Sequence, residues 1–465
     1  MSTQFTDLPS FGSADGLKLD EGAVDGVAQE STRLAMGSEI AQGAMDQLDV
    51  LTGYILVFAV AFLVTVLVTP VIRRLAVANG IVDHPSEARK IHKLPIAYLG
   101  GVAVYLGIIA ALVFSYIGTD ITGLIDYHPI REEHLVDGFS NPIVPPWIAL
   151  GMTSIVLVGL LDDITGIPAR VKLGGQLVAA AALALGNVGI NVAAGVLRPT
   201  LGRLLDNPDL VYQIPLPMDI PGFGTSIQLD LIYWSGTAVI AIFVLGACNA
   251  SNFIDGLDGL LTGVTSIAMI GLLAIALTLA VMDDGPFDAP RIIFGLAVLG
   301  ACLGFLPHNF NPASIFLGDT GSLLLGYCSA VMILSLGDTG KTWLVAAGLI
   351  IYAIPIIDTA LAIIRRKLAG RKMSDPDADH LHHMLKRAFG VKGAVFSLYG
   401  IGIVFCLLGV MLSYFRGRLI YALTLMIASY IGVYAIKVAR QSQIEEQANG
   451  ASSNKLAPQD PAKPS

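Results

Sequence analysis

The sequence has little charge. Asp, Glu, Lys and Arg make up 14% of its 465 residues, against about 25% in a soluble chain. With 54% hydrophobic residues and a mean hydropathy of +0.70, that scarcity excludes an ordinary soluble domain and leaves a polytopic membrane protein. A basic excess is missing as well: 28 Lys and Arg stand against 36 Asp and Glu, a net charge of −8. A generally basic, nucleic-acid-binding surface is thereby excluded. Cysteine is scarce. Cys248, Cys302, Cys328 and Cys406 are scattered through apolar segments without paired metal-ligand spacing. No disulfide framework is suggested, and small buried side chains explain them. Residues 1–50 lack a basic start followed by an apolar core, so they read as a polar, disordered or partly helical extension and not as a signal peptide.

What is present is a series of apolar runs. At roughly 20 residues per crossing, about eleven spans are expected: 51–69, 99–117, 146–161, 173–190, 232–249, 260–281, 292–306, 321–337, 342–363, 395–414 and 418–437. The expected fold class is all-α: a polytopic integral membrane protein of about eleven transmembrane helices with cytoplasmic active-site loops. The extension 1–50 precedes a transmembrane domain, 51–437, and a tail, 438–465. An insertion at 191–230, rich in Pro and Gly with short β-like runs, is compatible with a small external hairpin; 364–394 is a basic, His-containing loop.

Cytoplasmic loops carry the excess of Lys and Arg. One set of connectors holds Arg73, Arg74, Arg89, Lys90, Lys93, Arg170, Lys172 and a cluster from Arg365 to Lys392, whereas the opposite set is sparser. The first set is expected to be cytoplasmic, with the N-terminus outside and the C-terminus inside. Every polar concentration then falls on the cytoplasmic side, which argues for one composite site.

The central concentration is 249–260, Asn-Ala-Ser-Asn-Phe-Ile-Asp-Gly-Leu-Asp-Gly-Leu. Asn249, Asn252, Asp255 and Asp258 recur at every third position, near one face of a helix end. The two Asp-Gly pairs break the helix and let the backbone approach a ligand. Such groups between apolar helices are costly unless they bind something; a plain polar connector is the alternative. Asp162-Asp163 ends another apolar run. Adjacent carboxylates favour a shared divalent cation or protonation of one member, although a solvated helix end would also carry them.

In 308–322, Asn309 and Phe316 are suited to hydrogen-bond and stack on a base, and Gly318 and Gly321 flank Asp319. A helix starting near Ser322 would present free N–H groups to an anion; capping by Asp319 or Thr320 would explain less of the motif. The run Asp379-His-Leu-His-His-Met suggests zinc, but further ligands at zinc spacing are missing. Asp375–Asp379 lacks the glycine and closing Glu of a calcium loop. Clustered His, Arg and Lys fit phosphate better. In 84–101, Arg89, Lys90, His92 and Lys93 precede the pair Gly100-Gly101. Aspartates facing a basic loop make sense if Mg²⁺ bridges carboxylate and diphosphate oxygens. With stacking and amide groups, a nucleotide diphosphate and a lipid acceptor are indicated.

In order and spacing, Asp162-Asp163, 249–260, 309–322 and His380-Leu-His-His383 resemble the polyprenyl-phosphate N-acetylhexosamine-1-phosphate transferases, over about 70–437. The resemblance implies transfer of a sugar 1-phosphate from a UDP-sugar donor to undecaprenyl phosphate, with release of UMP and with Mg²⁺, or Mn²⁺ as a substitute. It implies catalytic roles for Asp162, Asp163, Asp255 and Asp319, with Asp319, Asp255 and Asp163 toward the metal and Asp162 toward the lipid phosphate. Asn249 and Asn252 are added to the substrate-binding set on their spacing. Lys93, Asp258, Asn309 and Phe316 match the family's uridine pocket, and His380, His382 and His383 its histidine motif. Ala97 stands where relatives commonly have a second proline. The interrupted His-x-His-His form resembles the N-acetylglucosamine branch, in a bacterial plasma membrane and the cell-envelope polysaccharide pathway. Other UDP-N-acetylhexosamines, UDP-N-acetylmuramoyl-pentapeptide and a homodimer stay open. From other classes, the rivals are an ion-coupled transporter and an inactive assembly scaffold.

Overall fold

The computed structural model describes residues 21–83, 95–118, 121, 123–125, 143–220, 224–282, 285, 287–368 and 380–455. Lys93 and the stretch 375–379 lie outside them. The chain divides into two compact units, 1–49 and 50–465. The first is helical over its described residues; the rest of the description concerns the second.

The architecture is all-α. Helix α1 (Glu21–Ala78) precedes α2 (Gly100–Gly118), α3 (Pro146–Thr165), α4 (Ala169–Leu185) and the short α5 (Asn191–Leu197). After the insertion come α6 (Leu231–Ile254), α7 (Leu260–Val281), α8 (Asp288–Asn309), α9 (Gly318–Ser335), α10 (Thr342–Ile351), α11 (Ala353–Leu368), α12 (Leu381–Phe415) and α13 (Arg418–Lys455). The expected apolar runs fall largely on these helices, with 342–363 divided between α10 and α11 at Tyr352. Among the described residues, however, only seven are long and apolar enough to cross a membrane, or eight if α10 and α11, bent by 76°, make one span. The helices beyond that number are short or polar at one end: α4 has 17 residues, and α9 carries Asp319 in its first turn.

Burial orders the bundle. The apolar windows of α7 and α8 are 72% and 83% buried, against 22% for the span of α1, so α7 and α8 form the centre. Helix α9 packs on α6, α3 and α2. Leu63 and Leu67 on α1 and Leu425, Met426 and Tyr430 on α13 stay exposed, as lipid-facing side chains do in a membrane protein.

Two short hairpins interrupt the helices. Strands β3 (Val211–Ile220) and β4 (Gly224–Asp230) pair antiparallel in the insertion. Strands β1 (Val82–Asp83) and β2 (Ile96–Ala97) pair just before α2. The second hairpin positions the site: Phe316 N–H donates to Ala97 O, Gly100 N–H to Phe316 O and Gly101 N–H to Leu317 O, at 2.8–2.9 Å. The start of α2 is thereby stitched to the loop before α9. This contact explains Gly100-Gly101, because a Cβ on Gly101 would lie 2.1 Å from Gly321 N.

Candidate active site

Helix α3 ends at Gly166, whose φ of 65° is accessible to glycine. Asp162 and Asp163 occupy its last turn. The Asp162 Oδ1 accepts from Ile167 N–H at 2.9 Å. Asp163 reaches the first turn of α9: Oδ1 accepts from Asp319 N–H at 2.8 Å, and Oδ2 from Thr320 N–H at 3.0 Å and Thr320 Oγ1 at 2.6 Å. Gly318 lets this carboxylate in, since a Cβ there would lie 2.6 Å from Asp163 Oδ2. Two sequence expectations change as a result. Helix α9 begins at Gly318, four residues before Ser322, and two of its first N–H groups, those of Asp319 and Thr320, are taken by the chain's own Asp163. Those two groups are not free for an external anion, and Asp163 holds the first turn of α9.

The approach of α9 brings Asp319 to Asp162. Lys172 Nζ, from α4, lies 2.6 Å from Asp162 Oδ2 and 2.5 Å from Asp319 Oδ2. Asn252 Nδ2 donates to Asp319 Oδ1 and to Ser322 Oγ, each at 2.9 Å. The two carboxylates thus converge on one cation, the Lys172 ammonium. In the sequence Lys172 reads only as a cytoplasmic positive charge, and its place shortly after Asp162-Asp163 is the one signal of this contact.

The 249–260 motif divides. Asn249 and Asn252 stay in α6, Asp255 follows its last residue, and Gly259, with a φ of 76°, immediately precedes α7. Asn249 Nδ2 donates to Gln176 Oε1 at 2.9 Å and to Leu245 O at 2.7 Å, so it ties α6 to α4. Asp258 Oδ2 accepts from Asn311 Nδ2 at 2.9 Å and Ala313 N–H at 3.1 Å. Buried Asn309 makes three bonds within the protein: Oδ1 accepts from Gly259 N–H and Thr262 Oγ1, and Nδ2 donates to Ile315 O. Asn309 shapes the wall of the cavity that it lines.

These turns enclose a cavity of about 460 Å³, within the range of small-molecule sites. It is lined by Asn252, Asp255, Asp258, Asn309, Phe316, Asp319 and His383 among the expected residues, and by Asp83, Tyr98, Asn311 and Lys386 besides. Asp162, Asp163, Asn249, His380 and His382 are not among the lining residues. Phe316 and Tyr98 present rings 6.0 Å apart at 59°, an aromatic corner whose Tyr98 phenol is hydrogen-bonded to the Asp83 carboxylate. Burial and the neighbouring Asp319, Asp163 and Asp258 carboxylates push Asp255 up to about 8. Burial and the Asp83 carboxylate push the Tyr98 phenol up too. Hard carboxylate oxygens crowded in this way fit Mg²⁺ or Mn²⁺ better than a soft metal.

The histidines belong to a second layer. His380 Nδ1 lies 2.8 Å from Asp358 Oδ2, and His382 Nδ1 3.5 Å from the same oxygen. Asp358 had no sequence signal, standing 22 residues from His380 within an apolar run. These three groups converge within 4.8 Å, but the carboxylate is accounted for by hydrogen bonds to His380 and to Leu381 N–H. His383 alone of the three histidines reaches the cavity.

Comparison with known proteins agrees with this geometry. Residues 146–337, which carry both aspartate ends, match the model for glycosyl transferase family 4. The chain is 30% identical over 362 residues, 77% of its length and 85% of the relative's, to a probable undecaprenyl-phosphate N-acetylglucosaminyl 1-phosphate transferase of Bacillus subtilis. It is 32% identical over 346 residues, 71% of its length and 74% of the relative's, to a decaprenyl-phosphate N-acetylglucosaminephosphotransferase of Mycolicibacterium smegmatis. A phospho-N-acetylmuramoyl-pentapeptide-transferase of Oceanobacillus iheyensis is 28% identical over 77% of this chain and 98% of its own. The chain belongs to the polyprenyl-phosphate N-acetylhexosamine-1-phosphate transferases of glycosyl transferase family 4.

Proposed function

We propose that the protein transfers N-acetylglucosamine 1-phosphate from UDP-N-acetylglucosamine to undecaprenyl phosphate, giving undecaprenyl-diphospho-N-acetylglucosamine and UMP. The observation that carries this reading is the cavity itself, whose lining combines Asp319 and Asp255 with the Phe316–Tyr98 corner. A nucleoside diphosphate has both features, a planar base and a charged diphosphate.

An oxygen of the lipid phosphate attacks the sugar-bearing phosphorus. The bond from that phosphorus to the bridging oxygen breaks, and the electron pair leaves with UMP. The nucleophile needs little activation, because a phosphate monoester with a second pKa of roughly 6 is largely dianionic at neutral pH. The protein's work is to align two anions and lower their repulsion. A divalent cation held by Asp319 and Asp255, Mg²⁺ or Mn²⁺, would supply that neutralisation. Phe316 and Tyr98 face the base, Asp258 and Asn311 form the adjoining polar wall, and Lys172 and Asp162 lie where the lipid phosphate approaches.

The chain is read as crossing a bacterial plasma membrane eleven times, with the N-terminus outside and this site cytoplasmic. The carboxylates sit in the last turn of α3, just past α6 and in the first turn of α9. A transporter would place them near mid-membrane on broken helices, so the helix-end positions favour the enzyme.

The His-x-His-His run supports the N-acetylglucosamine donor. Purified protein in detergent with undecaprenyl phosphate, Mg²⁺ and competing UDP-sugars should release UMP fastest with UDP-N-acetylglucosamine. A preference for UDP-N-acetylmuramoyl-pentapeptide would refute the donor and keep the reaction class. No UMP from any donor would refute the class.

A further inference from the structure

We propose that Asp358 is a positioning residue: it latches the start of α12 so that His383 and Lys386 face the donor cavity. The inference rests on the proposed reaction for its functional consequence, and on geometry alone for the latch.

Helix α12 begins without a capping side chain of its own; His380 precedes its first residue and makes no such bond. The cap comes instead from α11. Asp358 Oδ1 accepts the first N–H, that of Leu381, at 2.7 Å, while Oδ2 lies 2.8 Å from His380 Nδ1. A carboxylate at a helix start meets unpaired N–H groups and the positive end of the helix dipole. Asp358 is fully buried, and His382 is 1% exposed, so water does not substitute for either contact. His382 then leans on the 249–260 turn, where a Cβ on Gly256 would lie 2.5 Å from its Nε2. Phe253 of α6 packs beside His380 with centroids 6.2 Å apart. The first turn of α12 is thus clamped between α11 and α6.

Two residues of the clamped segment do reach the cavity. His383 and Lys386 line it together with Asp258, on the turns that directly follow Leu381. Their direction into the cavity depends on where α12 starts, and Asp358 sets that point. Asp358 itself does not line the cavity, so it acts through its neighbours.

The test uses the full-length protein in detergent with two readouts. Trypsin cleavage after Lys386 or Arg387 requires local opening of α12. Asp358→Asn, which keeps the size and loses the charge, should speed that cleavage about tenfold without donor, and should raise the donor KM about tenfold while kcat stays within about threefold. His380→Phe keeps a ring beside Phe253 and removes the Nδ1 contact, and should move both readouts in the same direction. Unchanged cleavage in both variants overturns the latch. Faster cleavage with an unchanged KM overturns its role at the cavity, and a loss confined to kcat marks a merely structural residue. If the unmodified protein turns over no UDP-sugar, the proposed reaction falls, whereas the cleavage rates still decide the latch.

Discussion

Asp163 and Thr320 are joined twice: one carboxylate oxygen accepts from the Thr320 backbone N–H at 3.0 Å and from its Oγ1 at 2.6 Å. The pair lies 157 residues apart in sequence and sets where α9 begins relative to α3. Since Asp319 precedes Thr320, the same bonds place the Asp319 carboxylate beside Asp162 and Lys172. A contact that looks structural therefore determines the geometry of the charged cluster.

Removing the carboxylate should show this. Asp163→Ala leaves two backbone N–H groups and one hydroxyl without their acceptor, a loss of about 3 kcal/mol by the usual cost of stranding buried donors near a charged partner. Thr320→Val removes only the hydroxyl and should cost about 1 kcal/mol. In the double variant the two losses should not add, because both delete one contact. Chemical denaturation in detergent measures all three. Strict additivity would show that the two residues act separately.

A second expectation concerns close backbone approach. A Cβ on Gly101 would meet Gly321 N at 2.1 Å, and one on Gly159 would meet Thr320 Cα at 2.5 Å. The atoms in the way are backbone, which cannot swing aside. Gly101→Ala and Gly159→Ala should each destabilise by about 1–3 kcal/mol or prevent folding. Gly174, on α4, has nothing within 4 Å, so Gly174→Ala should be neutral or slightly stabilising. Equal behaviour of the three variants would refute the backbone contact.

These relationships mark what the sequence can and cannot reveal. The helices were legible because each apolar run is local, and Asp255, Asp258 and Asp319 stood out as charges interrupting such runs. Partnership was not legible. Lys172 meets Asp319 across 147 residues, and Asn309 meets Gly259 across 50. Regular spacing does not give the partner either: Asn249 shares the three-residue period of Asn252 and Asp255, and its bond is to Gln176 on α4. Asp358 was hidden because a single acid in an apolar helix carries no pattern.

The orientation is open to a direct test. The basic connectors and the helix-end aspartates belong to the same side in the proposed topology, and the β3–β4 hairpin belongs to the other. A reporter fused after Gln441 should read cytoplasmic, and one inserted near Asn207, in the exposed turn before β3, should read external. A cytoplasmic signal from the Asn207 insertion would overturn the eleven-span arrangement.

The last prediction follows from Asp255. Burial and three neighbouring carboxylates raise it from 3.8 to about 8, so the folded chain holds a proton that the unfolded chain has released. Between about pH 4 and pH 8 the folded state binds more protons, and the stability linked to that proton falls as pH rises through this window. A divalent cation at Asp255 and Asp319 must displace the same proton. Its affinity should therefore climb by up to about tenfold per pH unit between about pH 6 and pH 8, and level off above. Mn²⁺ binding followed by electron paramagnetic resonance reads this directly, without turnover. Asp255→Asn has no proton to release, so its weaker binding should be flat across the window, while Asp319→Ala should lose both binding and UMP release. Binding by the unmodified protein that is flat from pH 6 to pH 8 would remove Asp255 from the cation site. The same slope in Asp255→Asn would assign the proton to another carboxylate of the cluster.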